Sequence, residues 1–479
     1  MFAFGPLPPL MFGGMICFLL IGFPVAFSLA AVGLLFGAFG IATGHFSPDF
    51  MQALPFRFFG IMSNELLLAI PFFTFMGAIL ERCGLAEDLL EGTGQLFGKI
   101  PGGIAYAVIL VGAVLGAITG TVAASVIAMG VISLPVMIRY GYDMRLATGV
   151  IAASGTITQL IPPSLVLIVL ADQLGRSVGD MYLGAIGPSI LQVLIFIFYI
   201  VGLSILRPNA MPPLPPEARG EMGWPLIRRV LWGMIPSIVL IFLVLGTIFL
   251  GLATPTEAGA MGAVGAIVLA ALHKRLTWPL VQQAMQSTMR LTAMVVFILV
   301  GSTVFSLVFQ GMDGGRWIEH LLSHLPGGPT GFLIFVNIFI FFLAFFLDFF
   351  EIAFIVIPLL APVAAKLGID LIWFGVLLCV NMQTSFMHPP FGFALFYLRG
   401  IAPKSVKSSD IYWGAIPWVF MQIILVIIVI WWPGSVTYWI GKHEEKDPAA
   451  VEKSLRDLPM PDIGAPGGIP GLEGPPKIE

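Results

Sequence analysis

Charge is scarce in this chain. Only 10% of its 479 residues are Asp, Glu, Lys or Arg, against 58% hydrophobic residues and a mean hydropathy of +0.99. Soluble domains carry about a quarter charged residues, so a soluble globular fold is excluded and no nucleic-acid partner is expected. The three cysteines, Cys17, Cys83 and Cys379, have no metal or redox spacing, and the six histidines form no cluster with them, which argues against disulfides and a transition metal. His-Glu-x-x-His, Gly-x-Ser-x-Gly and Gly-x-x-x-x-Gly-Lys-Ser/Thr are all missing, so neither a metalloprotease, an α/β-type hydrolase nor a built-in P-loop ATPase is supported. The first residues, MFAFGPLPPLMFGG, lack a charged n-region and a small-residue cleavage site and read as the start of a span. The net charge of −3 says little, because in a membrane protein the placement of charges matters more than their sum.

What the chain does have is one unusual pattern, present twice. Pro135, Gly141-Tyr142-Asp143 and Pro162-Pro163 recur 227 residues later as Pro362, Gly368-Ile369-Asp370 and Pro389-Pro390. A proline pair inside a membrane-length helix removes two backbone donors and clashes with the preceding turn. It should free the carbonyls of Thr158 and Gln159, and of Ser385 and Phe386. Paired, interrupted apolar segments at matching positions of two halves point to a secondary transporter with its site at the repeat interface.

Full-length spans are expected near residues 8–22, 24–43, 65–81, 144–171 and 184–206, with counterparts near 233–252, 256–273, 291–311, 371–398 and 411–432. Residues 104–138, broken at Thr119-Gly120-Thr121, leave arms of about 15 residues, too short for a hydrocarbon core of about 30 Å, and read as a re-entrant hairpin. Residues 331–365, interrupted around Asp348 to Glu351, read the same way. The fold expected is all-α and polytopic. Its first repeat covers 1–206 and its linker 207–230; the second repeat covers 231–432, and a polar extramembrane tail follows at 433–479.

Ten crossings put both termini on one side. One set of loops holds 14 Lys or Arg, and the opposite set holds Arg57, Arg176, Arg316 and Lys366. Positive-inside bias places the 14 in the cytoplasm and both termini outside it. The hairpins then enter from opposite faces, which makes the repeats inverted. Residues 441–479, with 8 acidic and 5 basic residues and much Pro and Gly, read as a disordered extension.

Candidate site residues cluster at the interruptions. Thr119, Gly120, Thr121 and Ser125 at the first hairpin tip offer hydroxyls and exposed backbone, with close helix packing as the structural alternative. Ser154, Gly155, Thr156 and Thr158 precede the first proline pair; Asn381, Gln383, Thr384 and Ser385 occupy the corresponding stretch of the second half. Asp348 and Glu351 are acids deep in an apolar segment, a costly placement that points to function. Spaced i, i+3, they could share a cation. The structural alternative is that one carboxylate caps a hairpin half-helix and the other merely reaches the interface. Glu257, which follows a proline at the start of a span, reads as an acid that suits the helix N-terminus. His388 reads as a packed or hydrogen-bonded residue, with tuning of substrate or pH response as the alternative. No Lys or Arg lies in the expected midplane, so an anion would be held by dipoles, hydroxyls and a co-bound cation.

Several stretches resemble the large membrane subunit of tripartite ATP-independent periplasmic (TRAP) transporters. They are Gly22-Phe-Pro-Val-Ala-Phe27, Ala69-Ile-Pro-Phe-Phe73, Ser154-Gly-Thr156 leading to Ile161-Pro-Pro-Ser164, and Thr254-Pro-Thr-Glu-Ala258, and the likeness covers about residues 8–432. Phe346–Phe354, Asn381–Thr384 and Pro389–Arg399 are similar to the branch labelled for mannitol or chloroaromatic compounds, whose binding proteins include ones for 2-oxo acids. His388 stands where the family more often has Thr, so no side-chain ligand is carried over there. The resemblance implies an ion-transporter-superfamily-like elevator fold in the bacterial inner membrane. It also implies sodium as coupling ion, a small four-helix membrane subunit, a periplasmic substrate-binding protein, and surrounding lipid. In that frame Thr119, Gly120, Thr121, Ser154, Gly155, Thr156, Gln383 and Thr384 are the substrate candidates. Ser125, Thr158, Asp348, Glu351, Asn381 and Ser385 are the sodium candidates. The alternatives are a proton-coupled organic-anion transporter without a binding protein and, less favoured by the missing motifs, an intramembrane enzyme.

Overall fold

The computed structural model describes residues 5–119, 121–219, 223–390 and 392–440. The expected tail 441–479 and the tip residue Gly120 lie outside these residues. Among the described residues every regular element is a helix. The first half runs α1 Leu7–Ile21, α2 Val25–Ala42, α3 Ala53–Met62, α4 Glu65–Arg82, α5 Leu85–Leu96, α6 Gly103–Thr119, α7 Val122–Arg139, α8 Met144–Thr156, α9 Leu165–Leu174 and α10 Val178–Leu206. The second runs α11 Trp224–Phe249, α12 Pro255–Leu272, α13 Trp278–Gly311, α14 Gly314–Ser323, α15 Gly328–Leu343, α16 Phe349–Ile355, α17 Ile357–Lys366, α18 Leu371–Met382, α19 Phe393–Ile401 and α20 Ser408–Trp431, followed by the single turn α21 Gly434–Thr437.

The 227-residue shift relates the whole helix order of the two halves, well beyond the proline pairs. It carries α2 onto α12, α4 onto the C-terminal part of α13, α5 onto α14, and α10 onto α20. Packing follows the same rule. α4 lies along α12 and α2 lies along α13, so each half's second helix rests on a helix of the other half, and the two pairs are related by the same shift. These crossings are close because glycines remove the side chain at the contact. A Cβ on Gly301 of α13 would sit 2.3 Å from the Ala26 carbonyl oxygen of α2, and one on Gly262 of α12 would sit 2.6 Å from the Met76 sulfur of α4.

The repeated Gly-x-Asp has a local explanation. Gly141 (φ +74°) and Gly368 (φ +72°) take the left-handed conformation that ends one helix, where a Cβ is disfavoured. Two residues on, Asp143 accepts from the Arg145 and Leu146 amides, and Asp370 from the Trp373 amide, each capping the next helix. The motif therefore turns the chain from each hairpin into the broken helix after it.

Six helices are long and apolar enough to span a bilayer, or up to nine if each bent pair counts as one span, among the described residues. Among the expected spans that are not counted, the proline pairs leave α8, α9, α18 and α19 too short to span alone, and α1 has only 15 residues. Large apolar side chains such as Phe27, Phe242, Val264 and Phe420 are exposed on the outer helices. In lipid that exposure carries no hydrophobic penalty.

Four features depart from the sequence expectation. The second arm of the first hairpin, expected at about 15 residues and too short to span, is the 18-residue α7, itself one of the six helices long and apolar enough to cross a bilayer. The helices α3, α5 and α14 are additional to the expected spans. The second hairpin has a five-residue interruption, 344–348, and its return arm is divided again at Val356, with α16 and α17 meeting at 54°. The polar tail was expected from residue 433, yet α21 is packed: a Cβ on Gly187 would lie 1.9 Å from the Ser435 carbonyl oxygen.

Candidate functional site

The proline pairs unwind both helices. After α8 the chain forms a 3-10 turn over Ile157–Gln159 and then the Pro162-Pro163 peptide, which is cis. After α18 it forms a longer one over Gln383–Met387, then Pro389-Pro390, also cis. Both breaks lie in the protein interior. Ser154, Thr156, Thr158, Gln383 and Thr384 have no solvent exposure, and Asn381 and Ser385 are buried as well.

The breaks touch each other. The Thr156 hydroxyl oxygen lies 3.6 Å from the Met387 sulfur, and the Cys379 thiol lies 3.4 Å from the Gln159 carbonyl oxygen. The Gln159 carbonyl, expected to be freed by the prolines, is thus partnered, and Ser164 Oγ also donates to it.

Hydroxyl directions matter more than hydroxyl number. Ser154, Thr156 and Thr158 each donate to the carbonyl three residues back, at 2.8, 2.9 and 2.9 Å, and Thr384 and Ser385 do the same at 2.7 and 2.5 Å. A hydroxyl has one hydrogen and two lone pairs. With the hydrogen committed inward, each of these groups turns an acceptor oxygen to its surroundings, the polarity that suits a hard cation.

The first hairpin closes tightly on the first break. A Cβ on Gly112 would lie 2.7 Å from the Ser154 Cβ, and one on Gly116 would lie 2.9 Å from the Thr158 Cα, so α6 lies directly on the polar stretch. From the other arm, Val126 approaches Gly155 to within 2.2 Å of the position its Cβ would take. Ser125, next to Val126, is fully buried. Thr121 starts α7 with extended backbone and is half-buried, and Thr119 ends α6. The structure therefore groups Thr121, Ser125, Ser154, Gly155 and Thr158 around one hairpin.

The second hairpin meets its break differently. Asn381 Nδ2 donates to the Asn337 carbonyl at 2.8 Å, tying α18 to α15, and the Asn337 side chain donates to the Leu333 carbonyl. Asp348 and Glu351 form a reciprocal cap on α16: the Glu351 amide donates to Asp348 Oδ1 and the Asp348 amide to Glu351 Oε2, both at 2.9 Å. Thr254 and Glu257 make the same box on α12. Both hairpin acids thus have a structural task without any ion. His388 is 1% exposed and sits in an aromatic slot, its ring centroid 4.1 Å from Phe345 and 4.3 Å from Phe341, and neither ring nitrogen has a hydrogen-bond partner.

Two site residues have partners that the sequence reading missed. Gln383 Oε1 accepts from Gln192 Nε2 of α10 at 2.6 Å, and Thr156 Oγ1 accepts from Gln422 Nε2 of α20 at 3.0 Å. Each glutamine is isolated in an apolar helix. The only signal available in sequence was that isolation, a polar residue at membrane depth with no local partner.

One apolar cavity, of about 370 Å³, reaches the first break at Ile161 and Pro162 and is closed by α10 and α11. Two cavities of about 410 and 460 Å³ share Val131 and Ile132 of α7 and run between that arm and α4, α5 and the linker, with Glu81, Arg82 and Arg275 at one end.

Two broken helices in contact, each backed by a hairpin, in a helical bundle with apolar outer faces, define a polytopic secondary-transport protein. The chain belongs to the family described as "Tripartite ATP-independent periplasmic transporter, DctM component", whose sequence model matches residues 12–435. It is 31% identical over 403 residues to the C4-dicarboxylate TRAP transporter large permease protein DctM of Pseudomonas aeruginosa, covering 83% of this chain and 92% of that one. It is 26% identical over 437 residues to the isethionate TRAP transporter permease protein DctMQ of Oleidesulfovibrio alaskensis, covering 90% of this chain and 66% of the relative. Among solved structures, the YdaH transporter of Alcanivorax borkumensis superposes with a TM-score of 0.60 at 15% identity, covering 90% of this chain and 98% of that one, a likeness of fold. The protein is a multi-pass membrane component of a bacterial TRAP transporter and not an enzyme.

Proposed function

We propose that this chain is the permease of a sodium-coupled importer for a small organic acid, received from a periplasmic binding protein and moved by elevator-type alternating access. The observation that carries this reading is the contact between the two breaks, where Ser154, Thr158, Thr384 and Ser385 all turn their hydroxyl hydrogens into their own helices. Acceptor oxygens concentrated in a buried site without a Lys or Arg favour a cation first and an anion only alongside it. That order is the physical basis for coupling.

The sodium ligands proposed are Ser125 and Thr158 on the first-repeat side, and Asn381 and Ser385 on the second. Thr121, Ser154, Gly155 and Thr384, with Thr119 and Gly120 at the hairpin tip, are proposed to face the acid. Thr156 and Gln383 complete this layer, and Asp348 and Glu351 hold the second hairpin tip next to it. A 2-oxo acid is the proposed substrate, on the strength of the motif likeness at Phe346–Phe354 and Asn381–Thr384. The cavities beside α7 end at Arg82 and Arg275, which the distribution of basic residues assigns to the cytoplasm. They are the proposed exit route.

As a large permease of a tripartite family, the chain is proposed to work with a four-helix membrane subunit, which the name DctMQ of the relative presents as part of one chain. The test is uptake into proteoliposomes containing all three components under an inward sodium gradient, with a panel of labelled dicarboxylates, sugar acids and 2-oxo acids. Uptake of one acid class supports the reading. No uptake of any acid, with robust uptake of a neutral solute, would overturn it.

A further inference from the structure

Glutamine is an unusual residue in an apolar transmembrane helix, and each half of this protein ends in a long helix with one at its buried face. Gln192 of α10 and Gln422 of α20 are 1% and 0% exposed. Each spends its amide hydrogens across a repeat boundary. Gln192, in the first half, donates to Gln383 at the second break; Gln422, in the second half, donates to Thr156 at the first. The two acceptors are equivalent positions, since the 227-residue shift carries Thr156 onto Gln383. The same Gln422 nitrogen also lies 3.8 Å from the Met387 sulfur, so this side chain touches both breaks.

We propose that Gln192 and Gln422 are positioning residues, a swapped pair of braces that hold the two breaks in the geometry required for binding. They would act through Gln383 and Thr156 and not touch the transported acid. The proposal rests on the reading of the breaks as the sodium and substrate site. Three features support it. The contacts run between repeats, whereas a purely local packing role would be met by a partner within one repeat. The breaks are the least regular backbone in the core, with 3-10 turns in place of α-helix, and so depend most on side-chain support. Each brace leaves its own carbonyl, Gln192 Oε1 and Gln422 Oε1, with no hydrogen-bond partner, a cost that simple packing would avoid with an apolar residue of the same size.

The test uses the complete transporter with Gln192→Met and Gln422→Met, near-isosteric changes that remove the amide, and Ser302→Ala in α13 as a control. Initial uptake rates are measured against sodium and against substrate, with the melting temperature of the purified complex in parallel. The expected result is a rise of about three- to tenfold in half-saturating sodium or substrate for each Met variant, with the maximal rate and melting temperature close to those of wild type. The fold-change is what loss of one buried hydrogen bond would give. Half-saturation within about twofold of wild type in both variants would overturn the proposal, and so would a fall in melting temperature with no change in half-saturation. If a Met variant fails to reach the membrane, Asn at the same position, which withdraws the amide by one methylene, carries the comparison against the same thresholds. Wild-type uptake indifferent to sodium would count against the sodium reading alone, and the braces would then be judged on substrate half-saturation.

Discussion

The Thr156 hydroxyl of the first break lies 3.6 Å from the Met387 sulfur of the second, 231 residues away in sequence. Neither unwound segment can shift by much without disturbing the other. In a transporter this contact is where a change at one half of the site reaches the other. The polar layer from Ser154 to Thr158 and from Asn381 to Ser385 is buried around it.

The approach of α6 to the first break gives a steric prediction. Gly116→Ala would place a methyl group 2.9 Å from the Thr158 Cα, a backbone atom that cannot move aside as a side-chain end would. Overpacking of this kind costs about 1–3 kcal/mol. Uptake is expected to fall at least about fivefold, while Gly202→Ala, which meets nothing within 4 Å, transports normally. Initial rates normalised to membrane expression make the comparison.

The acids of the second hairpin give a prediction about shape against charge. Asn at 348 and Gln at 351 can both preserve the reciprocal cap, whereas Ala at 348 cannot. Asp348→Asn and Glu351→Gln are therefore expected to transport within about twofold of wild type. Asp348→Ala should lose about 1 kcal/mol of hairpin stability and most of its uptake. Loss of sodium dependence in the Asn variant, with expression intact, would instead assign Asp348 to the ion.

Much of this arrangement is legible in the sequence because its cause is local. A proline pair beyond the first turn interrupts a helix, as at Pro162-Pro163 and Pro389-Pro390, whereas Pro8-Pro9 is accommodated in the first turn of α1; Gly141-x-Asp143 and Gly368-x-Asp370 mark a helix end and the cap of the next helix. The first hairpin, expected over 104–138, forms over 103–139. Amphipathic pieces escape a reading tuned to long apolar runs. In α14, Trp317, Ile318, Leu321 and Leu322 have helical spacing, but Arg316 precedes them and Glu319 and His320 lie between them. The partners of the two isolated glutamines are beyond sequence. Gln192 and Gln383 are 191 positions apart, and only tertiary packing brings them together.

Dependence on partners is testable by omission. The chain has helices and connecting loops over its described residues and no sizeable soluble lobe among them that could capture a solute. The purified chain alone is expected to give no concentrative uptake, and addition of the small subunit and the cognate binding protein should restore it. Robust accumulation by this chain alone would contradict the tripartite assignment for it.

The proposed membrane orientation rests on the uneven distribution of basic residues. In a background lacking the exposed Cys17, a cysteine replacing Glu217 in the linker should be protected from a membrane-impermeant maleimide in intact cells. One replacing Asp313, exposed between α13 and α14, should be labelled. The reverse pattern would invert the topology and turn the cavity at Arg82 and Arg275 into an entry route.

The central claim is that the acceptor oxygens at the paired breaks hold sodium and that the acid is bound with it. The most direct measurement is initial uptake by the reconstituted three-component system as sodium is replaced by choline, with the proton gradient clamped. The account predicts uptake that requires sodium and rises more steeply than first order in its concentration. Unchanged uptake in choline would contradict it and move the coupling to protons.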